Sequence, residues 1–213
     1  MGYDAIGLGN HEFDFGTPHL TKLVEENGLP VVNMNLRSLH PDSLFFTPYI
    51  IKDFGGKKIA FVGVVTPESL ISEAYSFFDK QGKQMLSLCE DNLVDEVQKT
   101  VNEARKAGAH YVILLSHLGE ASAKNFLTSH RLVSSTRGID VVLDGHTHSR
   151  IPCETVLNAD GDTVLLSQTG SRFKNVGKLV IRPDGRMSTE LIPVDSIKQE
   201  SAHIRQVTDS IEA

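Results

Sequence analysis

Three histidine-bearing segments, each placed directly after an apolar run, constrain this chain more than any other feature. Gly9-Asn10-His11-Glu12-Phe13-Asp14 follows the run at 3–8, Ser116-His117-Leu118-Gly119 follows 111–115, and Asp144-Gly145-His146-Thr147-His148 follows 139–143. Short apolar runs bounded by turn residues read as buried strands. In an open α/β sheet, ligands gather in loops beyond the carboxyl ends of such strands. The three segments therefore predict an α/β fold whose sheet brings three loops to one end.

The rest of the chain supports that reading. Residues 17–27 carry a helical stripe (Leu20, Leu23, Val24), with Pro18 near the start and Gly28 at the stop. A strand is expected over 29–36, and a buried one over Lys57–Val65 after the Gly55-Gly56 turn. Residues 91–107 give the clearest helix, with Leu93, Val94, Val97, Val101 and Ala104 on one face. A further helix is expected over 122–137. After Ser149 the pattern changes to paired runs, 153–157 with 163–168 and 177–182 with 187–194, which read as antiparallel hairpins. Alternating strands and helices followed by hairpins suggest two sheets packed face to face with helices outside. The segment 201–212 reads as a terminal helix or linker.

Composition narrows the function. The 213 residues carry a net charge of −6, which argues against nonspecific binding of nucleic-acid polymers through their phosphates. No apolar stretch approaches the roughly 20 residues of a membrane span. The two cysteines, Cys89 and Cys153, lack metal-type spacing and are expected to be free buried thiols rather than a pair. Phe45-Phe46 and Phe77-Phe78 are expected in the core or in an exposed loop clamp.

The chemistry-bearing residues divide by type. Asn10 offers an amide oxygen, and His117 and His146 offer ring nitrogens: three neutral donors suited to one borderline divalent ion. His148 points to the other side of its local backbone and is placed to serve a second ion nearby. Two ions ~3.5–4 Å apart clamp a phosphate and activate water. His11, next to Asn10, is read as a non-ligand that faces the substrate. Asp14 either fixes the tautomer of His11, making it a general acid, or marks the entry to the following helix. His19, His40, His110, His130 and His203 are read as surface or packing residues.

GNHEFDFG, SHLG and GHTH, in that order, resemble the motifs of the calcineurin-like metallophosphoesterases, in their 5′-nucleotidase branch. The opening MGYDAIGLGNHEFDFG, the run VVNMNL and the segment Gln168-Thr169-Gly170 before GKLVI extend the resemblance over nearly the whole chain. It implies a four-layer αββα sandwich of two mixed sheets. Asn10, His117 and His146 match ligands of one metal, His148 matches a ligand of the other, and His11 with Asp14 matches the catalytic pair. The implied reaction is hydrolysis of a phosphoester, typically a nucleotide, by metal-activated water. The implied cofactors are two divalent ions such as zinc, manganese, cobalt or magnesium. Cyclic-nucleotide phosphodiesterase activity and an inactive metal-binding or interaction remnant are the alternatives. In the family an Asp-x-His pair and a Gly-Asp precede GNHE, whereas nine residues precede Asn10 here. The chain is thus expected to be a metallophosphoesterase domain over 1–197, truncated in its opening strand–helix–strand, followed by a helix or linker over 198–213. It is expected to hold one ion, preferably zinc, cobalt or nickel, because the remaining donors are neutral. An uncovered apolar face and possible self-association are also expected. The family often works in the periplasm or at the cell surface, through a signal that would lie upstream.

Overall fold

The computed structural model of the protein describes residues 2–122 and 124–212. Strand β1 (Ile6–Gly7) leads through the GNHE segment into α1 (Thr17–Asn27), followed by β2 (Val31–Val32), β3 (Leu36–Leu39) and β4 (Asp42–Leu44). Next come β5 (Tyr49–Phe54), β6 (Lys57–Val65), α2 (Ser69–Ser72), β7 (Leu86–Leu88) and α3 (Leu93–Lys106). Strand β8 (Tyr111–His117), helix α4 (Ser129–Ser135) and β9 (Val141–Asp144) complete the alternating part. Two antiparallel hairpins follow, β10 (Arg150–Leu157) with β11 (Thr163–Thr169) and β12 (Asn175–Ile181) with β13 (Met187–Pro193), and then α5 (Ala202–Glu212).

One six-stranded sheet, ordered β10-β11-β9-β8-β6-β5, organises the molecule. Strands β6, β8, β9 and β11 run parallel, and antiparallel β5 and β10 form the edges. Alternate residues of the central strands (Val62, Val64, Val112, Leu114, Val142, Val164, Leu166) are buried against Leu93, Val97, Val101 and Ala104 of α3 and Leu132 and Val133 of α4. Period-2 burial on the strands thus meets the helical stripe expected for α3. Parallel β8 and β9 deliver His117 and His146 to the same end of the sheet.

The facing layer comes in two pieces. The parallel pair β1–β2 lies over β6 and β8, and the hairpin β12–β13 lies over β10 and β11. Helix α1 closes the first piece from outside, with Leu20 in a second core beside Leu8, Phe13, Val31, Leu36, Phe77, Leu86 and Leu88. Beside the β12–β13 hairpin runs an apolar groove of about 550 Å³, with Ile59, Phe61, Ile113 and Leu143 among its lining and Leu179 and Ile181 contributed by β12. Among the described residues, β1 pairs only with β2 and β12 only with β13, so the two pieces do not hydrogen-bond to each other.

Several boundaries differ from the sequence expectations, each for a visible reason. The strand expected over 29–36 is broken after Val32. Asn33 Oδ1 accepts the N–H groups of Asn35 (3.1 Å) and Leu36 (2.7 Å), which turns the chain into another sheet. The expected helix over 122–137 is reduced to Ser129–Ser135. Ser122 Oγ accepts the N–H groups of Lys124 and Phe126, Asn125 is left-handed (φ 65°), and Thr128 caps the helix by accepting the Arg131 N–H. Local side-chain hydrogen bonds have displaced the helical ladder there. The strand expected over 3–8 is only Ile6–Gly7. Both cysteines are free, but Cys153 is exposed on edge strand β10 rather than buried. Phe77 packs in the core against Phe13, their centroids 5.1 Å apart. Helix α5 is exposed along Ala202–Ile211.

Candidate active site

The GNHE segment is a single turn of 3-10 helix, Asn10–Phe13. Glu12 caps its own turn, its Oε2 accepting the Gly9 N–H at 2.6 Å. Phe13 is fully buried, and its carbonyl accepts from the Ser76 hydroxyl at 2.6 Å. With Phe13 anchored, Asn10 turns inward and the His11 side chain stays 69% exposed. His11 Nδ1 lies 3.1 Å from both carboxylate oxygens of Asp14. Asp14 does not open the next helix, since Gly16 occupies that N-cap position. The Tyr75 hydroxyl donates to the carbonyls of Asp14 and Phe13, holding the turn from the α2 side. The buried Glu73 brings its carboxylate to this pair, and ligand atoms of His11, Asp14 and Glu73 lie within 4.8 Å of one another.

His117 sits at the centre. Its Nε2 lies 3.1 Å from Asn10 Oδ1, and its ring meets that of His146 edge-on with centroids 5.3 Å apart. Two motif glycines make room for it. An added Cβ would fall 2.7 Å from His117 Cε1 at Gly9, and 2.7 Å from His117 Nδ1 at Gly145. Burial pushes the His117 imidazole down to about 4, helped by repulsion from His146, His11 and His148. It is therefore neutral near pH 7, the form in which a histidine ligates a metal.

The GHTH loop is held in an unusual shape. His146 (φ 82°) and His148 (φ 60°) both adopt left-handed backbone conformations, uncommon for residues other than glycine. Three side chains that the sequence reading did not single out as site residues hold it. Glu68 Oε2 lies 3.2 Å from His146 Nε2. The Glu120 carboxylate accepts the hydroxyls of Thr147 and Ser149. Gln168, fully buried and noted from sequence only as part of the QTG resemblance, accepts the Ser149 N–H at 2.7 Å and the Thr147 hydroxyl at 3.1 Å. The Lys124 ammonium holds the Glu68 carboxyl below the usual range, against the opposing effect of burial, with His146 assisting. Burial pushes Glu120 up, but the hydrogen bonds from Ser149 and Thr147 outweigh it and leave the carboxyl lowered. Asp144, raised chiefly by burial, ties the loop to SHLG by accepting the Gly119 N–H at 3.2 Å.

Of the residues expected from sequence, Asn10, His117 and His146 come together, and His11 with Asp14 pairs on the adjoining turn. His148 stands exposed at the rim, close enough to repel a charge on His117, with no hydrogen-bond partner among the described residues. The amide oxygen and two imidazoles suit one borderline divalent ion. The inward-facing set is neutral, and Glu68 and Glu120 already engage the loop from behind. Glu68, Glu120 and Glu73 carry no local sequence signal beyond their charge, and only the tertiary contacts single them out.

No protein-family model matches the chain. Known proteins do. A 2′,3′-cyclic-nucleotide 2′-phosphodiesterase/3′-nucleotidase of Haemophilus influenzae is 32% identical over 164 residues, covering 71% of this chain and 24% of the relative. A snake venom 5′-nucleotidase of Gloydius brevicauda is 30% identical over 155 residues, covering 70% of this chain and 24% of the relative. The chain thus spans about a quarter of the length of these curated relatives. The solved 5′-nucleotidase precursor of Thermus thermophilus superposes with a TM-score of 0.77 at 23% identity, covering 98% of this chain and 42% of that one. The fold is thus shared with proteins named for their action on nucleotides, and the chain belongs to the calcineurin-like metallophosphoesterases of the 5′-nucleotidase branch.

Proposed function

We propose that this chain carries the histidine–asparagine part of a metal-dependent phosphoesterase site of 5′-nucleotidase type, with residues 1–197 as the metal domain and 198–213 as a terminal helix or linker. The observation that carries the reading is the approach of Asn10 Oδ1 to His117 Nε2, 3.1 Å, with His146 alongside and the His11–Asp14 pair on the neighbouring turn. Asn10, His117 and His146 would hold one divalent ion, and His148 would offer a ring nitrogen to a second. A bound ion supplies Lewis acidity toward the phosphoryl oxygen and activates water. Asp14 takes up His11 Nδ1, which leaves Nε2 to place a proton on the departing ester oxygen. From a phosphomonoester the products are inorganic phosphate and the free alcohol; from a 2′,3′-cyclic phosphodiester the product is the ring-opened phosphomonoester with one hydroxyl freed. A nucleotide substrate is supported by the activities named for the relatives, cyclic nucleotides included.

The test is calorimetry with zinc or cobalt on the wild type and His117→Ala. Loss of an outer partner of a ligand already weakens metal binding about 10–100-fold, so His117→Ala is expected to weaken it by more than that. Equal binding in both chains would sink the assignment. With manganese or cobalt added, the 213 residues alone are expected to hydrolyse p-nitrophenyl phosphate, AMP or 2′,3′-cyclic AMP weakly or not at all, because the inward-facing donors carry no charge to balance two dications. Turnover comparable to that of a full-length relative would overturn that part.

A further inference from the structure

We propose that Glu68, held by Lys124, is a positioning residue that sets the tautomer of His146 so that its Nδ1 faces the metal. Glu68 comes two residues beyond β6, after Thr66 and Pro67, and is the N-cap of α2, its carbonyl accepting the N–H groups of Ile71 (2.8 Å) and Ser72 (3.0 Å). Its backbone is therefore fixed. Both carboxylate oxygens are engaged, Oε1 by Lys124 Nζ at 2.8 Å and Oε2 by His146 Nε2 at 3.2 Å. An ionised carboxylate only accepts hydrogen bonds, so His146 Nε2 must carry the hydrogen. In the neutral ring this leaves Nδ1 as the nitrogen with a free lone pair. Histidine ligands commonly donate their second ring N–H to a carboxylate, which fixes the tautomer and strengthens the donor. Glu68 meets that requirement from an element 78 residues away in sequence from His146. The ion pair with Lys124 at Oε1 argues for this indirect role over direct ligation, because Lys124 competes for the same negative charge. Glu120 and Gln168 fix the far side of the loop through Thr147 and Ser149, which leaves Glu68 as the partner of the His146 ring itself.

The inference rests on the metal-site reading above, but its first test needs no metal. Long-range proton–nitrogen NMR on the metal-free, nitrogen-15-labelled chain at pH 8 should show His146 as a single Nε2–H tautomer. Glu68→Ala should give a mixture. Glu68→Gln, whose amide oxygen still accepts, should keep the wild-type form. In zinc calorimetry Glu68→Ala should bind about 10–100-fold more weakly, with a smaller loss for Glu68→Gln. Thermal unfolding close to wild type in Glu68→Gln separates positioning from misfolding. A His146 proton on Nδ1 in the wild type, or a tautomer indifferent to Glu68→Ala, overturns the proposal. So does an equal loss of zinc in both variants with the tautomer unchanged, which would make Glu68 a direct ligand. If the wild type binds no zinc, the metal-site reading falls, and the tautomer measurement still decides the role of Glu68.

Discussion

At the residue scale the site is built around one imidazole in a slot with no spare room. Glycine at 9 and 145 is required by the His117 ring, not by a turn, since an added Cβ at either position meets it at 2.7 Å. Gly9→Ala and Gly145→Ala should each push the ring from its place beside Asn10. Overpacking of this kind costs about 1–3 kcal/mol, and zinc affinity should fall alongside. Urea unfolding and calorimetry on the same samples measure both, and wild-type zinc affinity in Gly9→Ala would show that the ring accommodates a methyl group. The protonation of His117 makes a second prediction. Burial pushes the folded imidazole down to about 4, against 6.5 for an unperturbed histidine. Between those values the unfolded chain binds the proton and the native chain does not. This contribution to stability is complete above pH 6.5, falls as the pH drops toward 4, and changes no further below that. Its full size is roughly 3 kcal/mol. Urea midpoints of the metal-free chain from pH 7 to 4 should fall along that window, and His117→Gln should flatten the curve. An unchanged slope in the variant would place the titration elsewhere.

At the element scale a buried asparagine just before β3 ties that strand to the end of β6 in the six-stranded sheet. Asn35 is fully buried, donating to the Val65 carbonyl at 2.8 Å and accepting the Val65 N–H at 3.1 Å. It closes the end of β6 where the ladder with β8 runs out, and the Thr66 N–H immediately beyond goes to the His117 carbonyl. Asn35→Ala leaves a buried N–H and a buried carbonyl without partners. At about 1–3 kcal/mol for each stranded group, a destabilisation of about 2–4 kcal/mol is expected. Chemical denaturation measures it directly, and a loss below about 0.5 kcal/mol would mean that water or a neighbour replaces the side chain.

At the scale of the whole molecule, the split second layer is the main feature left open. The groove of about 550 Å³ exposes the apolar side of the central strands, and among the described residues the edges of β1 and β12 have no strand partner beyond β2 and β13. Open edges beside an apolar floor favour association with other chains. Self-association and low thermal stability are expected for the 213 residues, and light scattering and thermal unfolding measure them. A chain that is monomeric at high concentration and unfolds cooperatively would show that the groove needs no cover.

Much of this protein was legible in local sequence, because the relevant signals are local. The segment Lys57–Val65 after Gly55-Gly56, apolar from Ile59 on, is β6 at the expected bounds, and the stripe from Leu93 to Ala104 is the buried face of α3. The three histidine loops were placed by the runs that precede them, and the His11–Asp14 pair by a spacing of three within one turn. The sequence alone did not reveal the contacts that make the loops a site. Glu68 reaches His146, Glu120 reaches Thr147 and Ser149, and Gln168 closes the same loop, across 19 to 78 residues. An isolated glutamate has no periodicity to announce its partner. Its role depends on the order of strands in the sheet, which brings the start of α2 beside the end of β9. The break at Asn33 and the shortened α4 have the same origin. In both, a side chain took a backbone hydrogen bond that propensity would assign to regular structure, and tertiary packing decided which of the two prevailed.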